Sequence, residues 1–314
     1  MSSTSEGNVS HDVAHLTNAL APGMHSTTID GLAQQYHVAG QGPVCIAHSG
    51  GPGISWNYLR MPEVEQYLTM VYLEPIGTGA SGRLPDPRDY NLDRYASQLD
   101  GLISQLGLER PLLLGHSYGG FVALRYQVDH PGRLSGLILY DTSPVTTDEF
   151  WGSMQGELER AAGRHAGEPW VADTMAAWLE MFSFAPDNHS SEQDLSRILR
   201  RMMPIYFSNY VGMKETLDAM FAAMTLFEGA NHGVELRPFD VRPHLGSITI
   251  PLLVIAGQAD PVCAVRWSRE LHDGTPGSTL TVFEQSGHFA HIEEPAAFAR
   301  AIAEWLAASR FEAA

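Results

Sequence analysis

The sequence is poor in cysteine and in basic residues, and it has no long apolar segment. Its 314 residues include only two cysteines, Cys45 and Cys263, which give no disulfide framework. Against 36 aspartates and glutamates there are 19 lysines and arginines, for a formal net charge of −17. Such an acidic balance argues against binding to nucleic acid or to an anionic membrane. No apolar run reaches the roughly 18 residues that span a bilayer.

Targeting and metal-binding signals are also missing. Residues 1–23 lack a basic start followed by an apolar stretch, so they do not resemble a secretory signal, and we expect a flexible tail. Most histidines are scattered. His11 and His15 have His-x-x-x-His spacing beside Asp12, but they fall in the expected tail and not on a predicted helix, where zinc sites of this type lie. We therefore expect a cytoplasmic protein that needs no metal or other cofactor and acts on a small molecule.

Short apolar runs alternate with helical patterns along much of the chain. Helical spacing of apolar residues is evident over 93–106 and 295–309. Continuous apolar strands between helices are typical of a parallel sheet that is covered on both faces. The sequence therefore predicts an α/β fold with a mostly parallel, twisted sheet, whose strands are expected to end near His48, Leu73, His116, Tyr140, Gly257 and Phe283.

This alternation stops between residues 145 and 240. The segment is rich in methionine, aromatic residues and helix formers, and it contains no clear strand. We predict a helical cap over 145–240, inserted above the carboxyl edge of the sheet, and a core formed by 24–144 and 241–314. Some of the flexible methionines and aromatic residues are expected to line a pocket for an apolar ligand.

The most informative segment is Leu112–Gly120, where an apolar run ends in Gly115-His116-Ser117-Tyr118-Gly119 and passes directly into a helical pattern. This is the signature of a strand, a tight turn and a helix with a serine at the apex. The glycines are needed because side chains at those positions would strike neighbouring backbone. Ser117 is therefore the candidate nucleophile.

A serine hydroxyl needs a base, and the base needs a carboxylate that orients it. Asp260 follows one predicted strand, and His288 lies on the loop after the last one. The order serine, acid, histidine along the chain predicts a triad of Ser117, Asp260 and His288. Asp141, which also ends a strand, is the alternative acid.

The neighbouring polar groups have expected roles as well. The amide of Tyr118 and that of Gly51, with Gly50 as the alternative, are predicted to hold the oxyanion of the transition state. We expect His116 to be a packing residue that points away from the sheet edge. His291 is expected to face the start of the last helix, at 293–295.

With these motifs, the chain resembles the α/β-hydrolase superfamily over almost its whole length. Within that superfamily it is most similar to the proline iminopeptidases and related hydrolases. Those enzymes carry His-Gly-Gly-Pro-Gly in the oxyanion loop, where this chain has Ser49-Gly50-Gly51-Pro52-Gly53. Their Asp-Gln-Arg-Gly-x-Gly-x-Ser motif corresponds to 74–81, which keeps the glycines and Ser81 but has Glu74-Pro75-Ile76 at the start. The Trp-Glu pair expected at their amine pocket has only a loose counterpart in Trp178-Leu179-Glu180.

The resemblance implies an α/β-hydrolase fold and a serine hydrolase that forms an acyl-enzyme and cleaves an amide or ester bond of a small substrate. A carboxylesterase or lactonase acting on an apolar acyl compound is the main alternative. Carbon–carbon bond cleavage or a biosynthetic role with the same triad is a second one. A ligand-binding protein without catalysis is the third.

Overall fold

A computed structural model of the protein describes residues 19–182, 191–227 and 238–309. Within these residues, eight strands form one sheet in the order β1-β2-β4-β3-β5-β6-β7-β8. The pairings from β4 to β8 are parallel, whereas β2 pairs antiparallel with both β1 and β4. The strands are β1 Gly23–Ile29, β2 Leu32–Gly40, β3 Val44–His48, β4 Thr69–Leu73, β5 Leu112–His116, β6 Gly136–Tyr140, β7 Leu252–Gly257 and β8 Thr279–Phe283.

The predicted mostly parallel sheet is confirmed, but its first two strands were not predicted. In β1, half-buried and exposed residues alternate, so this strand lacks the apolar run that marks the central strands. The hairpin turns at Asp30 and Gly31, which both have positive φ angles, 50° and 79°. An Asp-Gly pair between strands is a strong hairpin signal because its two residues tolerate this conformation. Residues 1–18 of the predicted tail lie outside the described residues.

Helices cover both faces of the sheet, as continuous apolar strands require. On one face, α1, α2 and α7 pack against Ile46, Val71 and Leu113. On the other, α9 packs against Ala47, Leu114 and Ile255. The helices are α1 Leu92–Gln105, α2 Tyr118–Asp129, α3 Asp148–Arg164, α4 Val171–Phe182, α5 Glu192–Met202, α6 Tyr210–Ala223, α7 Val265–Gly274, α8 Ala290–Glu293 and α9 Pro295–Ala308. In the described ranges, no helix combines the length and the apolar character needed to cross a membrane.

Helices α3 to α6 form the segment between β6 and β7. The chain enters and leaves this segment side by side, since Val145 and Asp240 form an antiparallel bridge. Inside it, Met154, Trp178, Ile198 and other apolar residues form a separate cluster. Arg201 of α5 makes ion pairs with Asp173 and Glu180 of α4, at 2.7 and 2.5 Å. Part of the methionine and aromatic content therefore stabilises this helical layer itself, and Phe207, Phe221 and Met224 pack with the cluster on the α9 side of the sheet.

Candidate active site

Ser117 lies at a sharp turn between β5 and α2. Its φ and ψ angles are 53° and −119°, a region that costs a non-glycine residue on the order of 1–3 kcal/mol. A Cβ atom on Gly115 would lie 2.4 Å from the carbonyl oxygen of Gly119, and one on Gly119 would lie 2.3 Å from that of His48. Both contacts are with backbone, so the turn requires glycine on each side of the serine.

Strand β6 and the loop after it hold this turn in place. The Ser117 N–H donates to the carbonyl oxygen of Tyr140 at 2.9 Å. The Ser117 carbonyl accepts from the Gly120 N–H at 2.8 Å and from the Thr142 hydroxyl at 2.9 Å. Because both backbone groups of Ser117 are bonded, its conformation is held by the backbone, and its side chain makes no capping hydrogen bond to the helix.

His288 and Asp260 are hydrogen-bonded to each other at the same edge of the sheet. The Nδ1 atom of His288 lies 2.7 Å from Oδ2 of Asp260, and both side chains are buried. Oδ1 of Asp260 accepts from the N–H groups of Val262 and Cys263, at 2.7 and 3.1 Å. A carboxylate with these donors can only accept from Nδ1, so the proton of the neutral imidazole lies on Nδ1 and Nε2 has a free lone pair.

His116 lies against His288, which corrects the expectation that it points away from the site. Its ring centroid is 4.7 Å from that of His288. Nε2 of His116 lies 3.0 Å from the His288 carbonyl oxygen, and its Nδ1 lies 2.7 Å from Oη of Tyr58. The Gly50 N–H in turn donates to Oη of Tyr58 at 2.6 Å.

The proton positions in this chain of hydrogen bonds follow from the acceptors at its ends. A carbonyl oxygen only accepts, so Nε2 of His116 carries the proton and its Nδ1 accepts from the Tyr58 hydroxyl. Burial lowers the pKa of His116 well below its usual value, which keeps the ring neutral as this pattern requires. The chain ties the loop of Gly50 to the loop of His288. Nothing in the sequence signalled Tyr58.

His291 also differs from its expected position. Its Nδ1 lies 3.0 Å from Oη of Tyr140 and its Nε2 lies 2.9 Å from the carbonyl oxygen of Tyr58. The side chain is therefore directed into the core and not toward the start of α9. Burial lowers the pKa of His291 to about 4, so it stays neutral and structural.

The loop after β3 supplies the backbone predicted to face an oxyanion. The Gly50 N–H is already bonded to Tyr58, whereas the N–H groups of Gly51 and Tyr118 have no acceptor among the described residues. Gly51 has a φ angle of 131°, which favours glycine. The helical segment contacts this loop, since the Phe227 N–H donates to the Gly53 carbonyl oxygen at 2.9 Å.

Tyr206 of the helical segment covers His288. Its carbonyl oxygen accepts from the His288 N–H at 2.7 Å, and the two rings meet edge to face with centroids 5.4 Å apart. Trp178 in turn stacks on Tyr206, with the ring centroids 5.6 Å apart. The imidazole is thus enclosed by aromatic side chains, which exclude water and strengthen the bond to Asp260.

Glu293 links the His288 loop to the helical segment. Its Oε2 accepts from the Gly287 N–H at 2.6 Å, and its Oε1 accepts from the Asn209 N–H at 3.0 Å. Burial raises the pKa of the Glu293 carboxyl to about 7, and the backbone N–H groups that it accepts from oppose the shift. A group that titrates near neutral pH therefore lies between the two parts of the site.

We expect Glu293→Gln to flatten the pH dependence of the unfolding free energy between about pH 4.5 and 7. An unfolded glutamate loses its proton above about pH 4.5, whereas folded Glu293 keeps it up to about pH 7. The folded state binds more protons in this window, so the wild type loses stability as pH rises through it. Glutamine does not titrate, and this part of the slope disappears.

Urea unfolding at about pH 5 and about pH 7.5 measures the effect. Glu284→Gln, an exposed position after β8, is the matched control and should follow the wild type. A slope in Glu293→Gln that is as steep as in the wild type would contradict the interpretation.

Among the described residues, two buried groups of side chains each bring one metal-binding atom per residue within 4.8 Å of one another: His116, Asp141 and His288, and Asp260, Cys263 and His288. In the first, both ring nitrogens of His116 are already hydrogen-bonded. In the second, the His288 Nδ1 is bonded to Asp260, and burial raises the pKa of the Cys263 thiol well above its usual range. Metal ligands must offer a free lone pair or a thiolate. Neither group therefore fits a metal ion in this arrangement.

Two acidic residues of the helical segment form ion pairs with arginines. Glu157 pairs with Arg160, and Glu180 pairs with Arg197 and Arg201. Glu74, which stands at the aspartate position of the iminopeptidase motif, is buried, and its carboxylate accepts from the Ala80 N–H at 3.4 Å. These contacts leave no exposed acidic pair at the Trp178–Glu180 segment.

The strained turn of Ser117 and the hydrogen-bonded pair of His288 and Asp260 lie at the carboxyl edge of one parallel sheet, an arrangement that supports hydrolysis. The family model described as the alpha/beta hydrolase fold matches residues 42–295, well over half of the chain, so the protein belongs to this family.

Individual relatives agree with this assignment. A proline iminopeptidase of Saccharolobus solfataricus is 27% identical over 281 residues, which cover 86% of this chain and 87% of that protein. A 2-hydroxymuconate semialdehyde hydrolase of a Pseudomonas species is 27% identical over 292 residues, which cover 88% of this chain and 91% of that protein. A solved hydrolase structure from Bacillus anthracis matches with a TM-score of 0.69 and 18% identity over 90% of this chain and 99% of its own. The protein is a hydrolase.

Proposed function

We propose that the protein is a serine hydrolase that cleaves an amide or ester bond of a small substrate through an acyl-enzyme intermediate. The observation that carries this proposal is the buried pair of His288 and Asp260 at the sheet edge that also bears the strained turn of Ser117. His288 is the base, Asp260 orients it, and Ser117 is the nucleophile.

In the first half of the reaction, Oγ of Ser117 attacks the substrate carbonyl carbon and transfers its proton to Nε2 of His288. The carbonyl oxygen becomes an oxyanion, which accepts from the N–H groups of Gly51 and Tyr118. The bond to the leaving group then breaks, and His288 returns the proton to that group. The acyl group remains as an ester of Ser117.

Water completes the reaction by the same route. His288 takes a proton from the water as its oxygen attacks the acyl carbon, and the second oxyanion uses the same two N–H groups. When this intermediate collapses, His288 protonates Oγ of Ser117 and the carboxylic acid leaves. One water is consumed, and the chain supplies every proton transfer.

The contacts of the helical segment support an uncharged acyl group over a free amino terminus. Glu157 and Glu180 are neutralised by arginines, and the half-buried Tyr206 ring, on which Trp178 stacks, lies against His288. The similarity to the Saccharolobus enzyme supports proline iminopeptidase activity, but on these contacts we place ester cleavage ahead of it. Carbon–carbon bond hydrolysis is the second candidate because of the similarity to the 2-hydroxymuconate semialdehyde hydrolase.

Intact-mass spectrometry after treatment with a fluorophosphonate probe tests the mechanism. We expect one adduct on the wild type and none on Ser117→Ala or His288→Ala, because the probe needs an activated serine. An adduct on folded Ser117→Ala would exclude Ser117 as the nucleophile. A folded wild type without any adduct would favour a ligand-binding protein without catalysis.

A chromogenic panel then separates the substrate classes. We expect turnover of p-nitrophenyl butyrate and much slower release of p-nitroaniline from proline p-nitroanilide. Faster cleavage of the anilide would reverse the ranking and identify an aminopeptidase. Inactivity toward both, with a fluorophosphonate adduct present, would favour the carbon–carbon hydrolase candidate.

A further inference from the structure

Asp141 is a second buried carboxyl group beside the pair of His288 and Asp260. It follows β6 directly, has a φ angle of 44° and has no exposed surface. One of its carboxyl oxygens lies within 4.8 Å of one ring nitrogen of His116 and one of His288. Because Asp260 is hydrogen-bonded to the same His288 ring at 2.7 Å, the two carboxyl groups are close neighbours.

The two aspartates differ in the number of donors that they receive. Asp260 accepts from Nδ1 of His288 and from two backbone N–H groups. Asp141 accepts from the Gly257 N–H at 2.8 Å through Oδ1, and no donor reaches its Oδ2 among the described residues. Three hydrogen bonds stabilise a charge on Asp260, whereas one supports a charge on Asp141.

The surroundings of Asp141 offer no positive charge to balance a second carboxylate. The titratable groups around it are Asp260, His288, neutral His116, Cys263, Tyr140 and Glu293. Within the described ranges, no arginine or lysine forms an ion pair with either aspartate. Two adjacent buried carboxylates without a cation cannot both ionise, since like charges in a region of low dielectric repel strongly.

We infer that Asp141 is a protonated positioning residue, whose Oδ2 hydroxyl donates a hydrogen bond to the Asp260 carboxylate and holds it against His288. This inference rests on the proposed function in assigning Asp260 to the orientation of His288. Burial and the charge of Asp260 also raise the pKa of Asp141 well above its usual range.

Such a hydrogen bond has a kinetic consequence. It fixes the plane of the Asp260 carboxylate and withdraws part of its negative charge from His288. Without the donor, Asp260 stabilises the imidazolium more strongly, so the base stays protonated up to a higher pH. The acid side of the pH–activity profile then moves to higher pH.

Two variants of similar side-chain size, Asp141→Asn and Asp141→Leu, distinguish a hydrogen-bond donor at this position from a negative charge. Asp141→Asn keeps a donor toward Asp260 and an acceptor for the Gly257 N–H, and we expect kcat within about threefold of the wild type and an unchanged profile. Asp141→Leu has no donor, and we expect kcat to fall by about 10- to 100-fold at similar KM. The acid side of its pH–activity profile should lie at higher pH than in the wild type. If Asp141 were ionised, Asp141→Asn would remove a negative charge and shift the acid side downward, which would overturn the inference. Equal damage in both variants would also overturn it.

Infrared difference spectroscopy gives a readout that is independent of activity and of the folding of Asp141→Leu. At about pH 8, the wild type minus Asp141→Asn spectrum should contain the C=O band of a protonated carboxylic acid. A carboxylate band in its place would show that Asp141 is ionised and would refute the inference. Since this spectrum does not require a reactive Ser117, failure of the fluorophosphonate test leaves its result interpretable.

Discussion

Replacing Ser117 with alanine is expected to lower kcat/KM for the best ester substrate by about 10⁵-fold, close to the background left when a serine nucleophile is removed. The acyl-enzyme cannot form without Oγ, and His288 is left to activate water directly. Both backbone groups of Ser117 are bonded to Tyr140, Gly120 and Thr142, so alanine leaves the turn intact. The melting temperature should therefore stay within a few degrees of the wild type.

Steady-state kinetics with p-nitrophenyl butyrate, together with binding of a non-hydrolysable analogue, checks this result. Ser153→Ala, in helix α3, makes the same chemical change away from the site and should keep full activity. Activity of Ser117→Ala within tenfold of the wild type, in a preparation free of wild-type protein, would remove Ser117 from the mechanism.

The second large effect is expected from Gly257→Ala at the end of β7. A Cβ atom there would lie 1.8 Å from the carbonyl oxygen of Gly287 and 2.8 Å from that of Ser286. These are backbone atoms of the loop that carries His288. That loop cannot retreat freely, because a Cβ atom on Gly287 would lie only 2.1 Å from the Tyr206 carbonyl oxygen on its other side. We expect a loss of about 3 kcal/mol of stability and at least a tenfold drop in kcat.

Urea unfolding and ester hydrolysis measure the two parts of this prediction. Gly152→Ala is the matched control, since it lies inside α3 with no atom within 4 Å of the added Cβ. Alanine should stabilise that helix by about 0.5–1 kcal/mol and leave activity unchanged. Similar stabilities for Gly257→Ala and Gly152→Ala would mean that the His288 loop tolerates displacement.

The candidate triad residues could be predicted because each lies in a short sequence segment with a recognisable pattern. The Gly-x-Ser-x-Gly turn, the aspartate after β7 and the histidine after β8 each depend on residues within a few positions of one another, and strands that run in parallel bring their carboxyl ends to one edge. The Asp30-Gly31 pair also signals a hairpin, but the two strands beside it lack the continuous apolar runs on which the strand prediction relied.

The connections between these segments depend on the tertiary structure. Tyr58 meets His116 across 58 residues and His116 meets His288 across 172, and no local pattern encodes such a pairing. In the same way, Glu293 reaches Asn209, and Asp141 and Asp260 meet at the His288 ring, only because packing brings these elements together. The sequence by itself determined the parallel sheet, the strained serine and the order of the candidate triad, because periodicity and turn chemistry act over a few residues. Tertiary structure decided the protonation and orientation of the groups around that triad, because burial and hydrogen bonding depend on what folding places next to each side chain.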